Sequence, residues 1–127
     1  MTESLRKAGS AVRREVLGNG YVEDRAADVS AFDEPFMDMI LDSAWGHVWA
    51  REGLSLRDRS LLTITLLAAL GHWEELAMHV RATANTGASP EEVREAIMHV
   101  AVYAGVPAAN HALKVAKAAY AEIGVTV

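Results

Sequence analysis

A chain of 127 residues is long enough for one domain and too short for two that each bury a core. Its 51% hydrophobic and 23% charged residues exclude intrinsic disorder, because so apolar a chain gains more by burial than it loses in conformational entropy. Twelve Lys and Arg against 17 Asp and Glu give a net charge of -5 with no basic run, which argues against a nucleic-acid partner, and the lack of cysteine removes disulfides and thiol chemistry together.

Helical spacing dominates, and the spacing predicts an all-α architecture of six to seven helices in a single domain over residues 1–127. A charged amphipathic helix over 3–17 stops at Gly18-Asn19-Gly20, and Tyr21 to Ala27 adds a short turn. Phe32 to Trp49 follows as one helix, with apolar side chains three and four residues apart at Phe36, Met39, Ile40, Ala44, Trp45 and Val48. Ser55 opens a helix through Leu70. His72 to Thr86 forms the next, stopped by Gly87. In Ser89-Pro90-Glu91-Glu92 the serine caps, the proline fits the first helical position and the acids face the positive end of the macrodipole. That helix runs to Ala104, and Gly105-Val106-Pro107 separates it from a last one over about 108–122.

The most apolar run, Leu61–Leu70, spans ten residues where a bilayer requires about twenty, so no membrane partner is expected. The polar residues from Met1 to Lys7 carry no signal-peptide pattern, and a cytoplasmic location follows as an expectation. Leu61–Leu70 is apolar almost all round, which predicts a helix covered on every side. Small residues at Ala101, Ala104, Gly105, Ala108, Ala109, Ala112 and Ala116 allow close helix approach, and the high apolar content predicts a homo-oligomer.

His79 is the sharpest candidate for chemistry, within Leu76-Ala77-Met78-His79-Val80, with Glu75 one turn earlier on the same face. A carboxylate there orients an imidazole and raises its pKa above about 6.5, giving an acid usable near neutral pH. The alternative is a half-buried histidine hydrogen-bonded to structure. His72, Glu75 and His79 share one stripe, but the two histidines stand roughly 10 Å apart along a helix, too far for one ion, so no metal site is expected. Arg51, Arg59 and Arg81 each border apolar sequence and suit a substrate carboxylate, against the alternative of surface ion pairs. Arg81, two residues past His79, points roughly 200° away from it. Trp45, Trp49 and Tyr103 are candidates to wall a small-molecule pocket or to fill core and interface. His47 reads as structural or exposed.

Two segments carry a resemblance. The first runs from Pro35 to Trp49 (PFMDMILDSAWGHVW) and continues through Arg51-Glu52-Gly53-Leu54 and Arg57 to Thr63. The second comprises Glu75 to Arg81 (ELAMHVR), Asn85-Thr86-Gly87, Ser89 to Val93 and Tyr103 to Asn110. Together with Arg13 to Gly18 and Tyr21-Val22, they resemble the carboxymuconolactone decarboxylase family. The wider superfamily includes redox members with a Cys-x-x-Cys-x-x-x-His motif and a glycine eight residues on. His79 and Gly87 keep that spacing, while His72 and Glu75 stand at the cysteine positions and Ser60 at that of the redox group's upstream glutamate. The thiol peroxidase reaction is therefore closed to this chain.

The resemblance implies an alkylhydroperoxidase-D-like fold, assembled as a hexamer. It also implies cofactor-independent decarboxylation of a small carboxylated lactone in aromatic-acid breakdown. His79 is then the acid or oxyanion donor held by Glu75, Arg59 or Arg81 the carboxylate anchor, with Arg51, Trp45 and Tyr103 at the substrate. The alternatives are a small-molecule-binding or oligomeric accessory member of the superfamily, or a related lactone enzyme.

Overall fold

The computed structural model describes residues 2–127. Among them are seven α-helices, one π-helix and no strand. They divide into two compact units, one reaching to Ser55 and one spanning Leu56–Val127.

The first unit contains α1 (Thr2–Leu17), α2 (Asn19–Asp28), α3 (Glu34–Ile40) and the π-helix (Leu41–Trp49). The sequence predicts one helix over 32–49, and here the structure differs. From Leu41 the turns widen, and the Ala50 amide donates to the carbonyl of Trp45 five residues back at 2.9 Å. The widened segment is also where α1 comes closest. A Cβ at Gly46 would sit 2.6 Å from the Leu5 carbonyl oxygen, and one at Gly9 would collide with the Leu41 carbonyl and approach the Gly46 nitrogen to 2.7 Å. Only glycine allows two backbones this near. Arg6 fixes the same pair of helices by a two-pronged contact to Asp42, at 3.1 and 2.9 Å, so its cation holds the Asp42 carboxyl below its usual range. At the other end of α1, Arg14 bonds Asn19 and Glu23 at 3.3 and 2.8 Å and so ties α2 back.

The second unit contains α4 (Leu56–Leu70), α5 (Trp73–Thr86), α6 (Pro90–Tyr103) and α7 (Val106–Glu122). Helix α5 packs on α4 and α7, and α6 packs on the same two. The interior is aliphatic: Ile64, Leu76, Val80, Val93, Ile97, Val100 and a row of α7 alanines, with Tyr120 at one end. Those alanines let α7 lie close to its neighbours. The connections follow local chemistry. Gly87 ends α5 in the left-handed conformation, with φ of 88°. Ser89 Oγ then accepts from the Glu92 amide while the Glu92 carboxylate accepts from the Ser89 amide, at 3.1 and 2.9 Å. Arg57 of α4 also pairs with Glu92, which joins the starts of α4 and α6.

The sequence expects α4 to be covered on every side, and within one copy of the chain only one side is covered. Ser60, Ile64 and Ala68 face inward, whereas Leu62, Leu66 and Leu70 on the opposite side are 52%, 61% and 67% exposed. A uniformly apolar helix carries no periodicity from which to tell its inner face from its outer one. No helix among the described residues is long and apolar enough to cross a membrane.

Candidate active site

Helix α5 presents Leu76, His79, Val80, Thr83 and Thr86 to the interior of the second unit. His79 is 7% exposed, flanked by Leu76 and Val80, which are fully buried. Such surroundings solvate an imidazolium poorly, so burial drives the His79 pKa down to about 4. The charge of Glu75 works in the opposite direction and is the smaller effect, since Glu75 itself is exposed to water. This reverses the sequence-based expectation that Glu75 raises the pKa. A carboxylate one turn away is visible in the sequence, and the exclusion of water is not. At neutral pH the ring is an uncharged N–H donor in an apolar setting.

The other candidates are distributed unevenly. Arg59, on α4 of the same unit, is half-buried with its Nε withdrawn from solvent. Arg81 turns away from His79, as helix geometry requires, and pairs with Glu122 of α7 at 3.2 Å. Tyr103 is 80% exposed and stacks on His99, with ring centres 5.0 Å apart. Trp45 and Arg51 belong to the first unit. Trp45 is buried there, tilted against Trp49 with centroids 5.1 Å apart, and Arg51 is exposed. His72 immediately precedes α5 without capping it through its side chain, and His47 is exposed. Among the described residues no three His, Cys, Asp or Glu side chains form a group able to hold a metal ion.

Reasoning from reactive residue types misses three further buried polar groups of the second unit, Ser60 on α4 and Thr83 and Thr86 on α5. Thr83 directs its hydroxyl to the Val80 carbonyl at 2.5 Å, while the Ser60 and Thr86 hydroxyls have no hydrogen-bond partner. The available signal was positional. Ser60 falls on the Ser60-Ile64-Ala68 stripe, and Thr83 and Thr86 follow His79 at four and seven residues.

The sequence profile described as the carboxymuconolactone decarboxylase family matches residues 34–118. Over 123 residues, covering 97% of this chain and 92% of the relative, the chain is 42% identical to 4-carboxymuconolactone decarboxylase of Acinetobacter baylyi. It is also 42% identical over 105 residues, 83% of this chain and 73% of the relative, to nitrosuccinic acid decarboxylase npaB of Metarhizium robertsii. An uncharacterized 15.0 kDa protein of Paracoccus denitrificans is 36% identical over 85 residues, covering 65% of this chain and 63% of its own.

Proposed function

The chain belongs to the carboxymuconolactone decarboxylase family, and from that premise we propose that it is a carboxy-lyase converting 4-carboxymuconolactone to 3-oxoadipate enol-lactone. The observation that carries the reading is the near full-length identity to a decarboxylase of that name, joined to a buried neutral histidine in the second unit.

The chemistry suits these residues. In the substrate the departing carboxylate sits on a ring carbon next to a double bond conjugated with the lactone carbonyl. As the carbon–carboxylate bond breaks, its electron pair moves into that conjugated system, CO2 leaves, and a dienolate remains. A proton then adds to the carbon alpha to the carbonyl. The electron sink is internal to the substrate, so the reaction runs without a cofactor. Two tasks are left to the protein: a donor for the enolate oxygen and a cation for a substrate carboxylate.

His79 takes the first task. A neutral imidazole donates an N–H hydrogen bond to a developing enolate without the cost of holding a buried cation. Its low pKa favours this role over that of an imidazolium acid, and solvent supplies the carbon-bound proton. Glu75 orients the ring. Arg59, half-buried on α4, takes the second task in preference to Arg81, which is engaged with Glu122. The apolar surroundings favour loss of charge from the departing group, because neutral CO2 tolerates them better than a carboxylate does.

The same reading makes residues 1–127 one decarboxylase domain in a cytoplasmic homohexamer, and the exposed leucine row of α4 supports assembly. The test is incubation of purified protein with 4-carboxymuconolactone, without added metal or cofactor, following CO2 and enol-lactone together. Release well above the uncatalysed rate supports the assignment. No acceleration by folded protein overturns it. The equal identity to a nitrosuccinic acid decarboxylase favours a second substrate, so nitrosuccinate belongs in the same assay.

A further inference from the structure

A cavity of about 260 Å³ opens between α6, α7 and residues 126–127 of the closing segment, and none of the candidate active-site residues lines it. Its walls are Val93 and Ile97 from α6 and Ala116 from α7, all buried members of the core. The closing segment is held in place by the Val125 amide, which donates to the Tyr120 carbonyl at 2.9 Å and brings Val127 to the cavity.

Arg94 of α6 and Lys117 of α7 both line this cavity, together with Glu91, in a protein whose net charge is -5. Among the described residues Arg94 pairs only with its sequence neighbour Glu95, at 3.2 Å, with both side chains more than half exposed, and water makes such a pair weak. Lys117 forms no ion pair among the described residues. An apolar cleft with two cations in its lining fits a ligand with a greasy body and one anionic head. Its volume lies just below the range of roughly 300–1,000 Å³ typical of drug-sized ligand sites, which limits the ligand to a small one.

We propose that this cavity is a second binding site, for a small carboxylate with an apolar or aromatic body, its carboxylate held by Arg94 and Lys117. Its ligand reaches the core through Val93 and Ile97 without touching His79's helix, so occupancy is separate from turnover.

Methyl-labelled full-length protein titrated with benzoate, and in parallel with the neutral isostere benzamide, tests this. Saturable shifts of the Val93, Ile97 and Leu113 methyls are expected, with benzamide at least tenfold weaker. The paired variant Arg94→Ala/Lys117→Ala, exposed positions whose change leaves the helix content intact, should weaken benzoate at least tenfold, and His79→Ala should not. Four results overturn the proposal: no saturable shift, equal binding of benzamide, undiminished binding by the paired variant, or shifts centred on α5 that disappear in His79→Ala. Sedimentation run alongside supplies a fifth, a groove covered by a second copy and closed to benzoate.

Discussion

The two units of this protein are built on different physical terms. The first relies on directional contacts: a crossing that only glycines permit, a two-pronged Arg6–Asp42 pair, and a helix wound wider than α. Its buried apolar side chains among the described residues are few, chiefly Val16, Val22, Trp45 and Trp49, while Phe32 and Phe36 remain 95% and 58% exposed. The second relies on bulk exclusion of water by a continuous aliphatic interior. Only the second kind of construction creates an environment able to strip a histidine of its charge. On the proposed assignment to His79 the chemistry follows the core, and the more unusual backbone lies elsewhere.

The comparison can be broken most directly at His79. If the buried ring is the enolate donor, His79→Ala lowers kcat by about 10² to 10⁴ with the circular dichroism spectrum unchanged. In the unmutated protein, kcat should stay level through pH 6.5, because the ring loses its charge only near pH 4. An imidazolium mechanism would instead lose activity above that point. Retained turnover in His79→Ala would detach the site from the core altogether.

Stability against pH sharpens the same contrast. The folded His79 binds its proton more weakly than the unfolded one, with a pKa near 4 against 6.5. Acid therefore favours the unfolded state. The contribution is nil above about pH 6.5, grows as pH falls toward 4, and levels off below it, reaching about 3 kcal/mol at 1.36 kcal/mol per pH unit. Denaturant titrations of the protein and of His79→Gln across this window should diverge by that order.

In the first unit the corresponding weak point is steric. Gly9→Ala sets a methyl group against the Leu41 carbonyl, where backbone and not a flexible side chain must yield, and should cost about 2–3 kcal/mol. Amide exchange should show the loss in α1 and the π-helix. Ser89→Ala is the smallest change, removing one half of the reciprocal cap on α6 for about 1 kcal/mol by thermal melting.

Local chemistry was legible in the sequence. Gly87, Ser89 and Pro90 marked the end of α5 and the start of α6 because caps depend on residues within a few positions of each other. His79 stood out for the same reason, as a polar residue in an apolar repeat. What the sequence concealed depends on distant partners. The π-helix coincides with Gly9 and Leu5 arriving from α1, some forty residues earlier in the chain. The sign of the His79 shift depends on how completely the surrounding helices exclude water. The free face of α4 is hidden because apolar side chains run almost all the way round it.

The absence of cysteine from this scaffold extends to where its remaining sulfur lies. Among the described residues no methionine is buried, and Met39 and Met98 are 54% and 56% exposed. Peroxide that converts those two to sulfoxides therefore adds polarity first at the surface, ahead of the half-buried Met37 and Met78. In an oxidising episode, damage to this protein should register first in how its surfaces associate, and only afterwards in whether it stays folded.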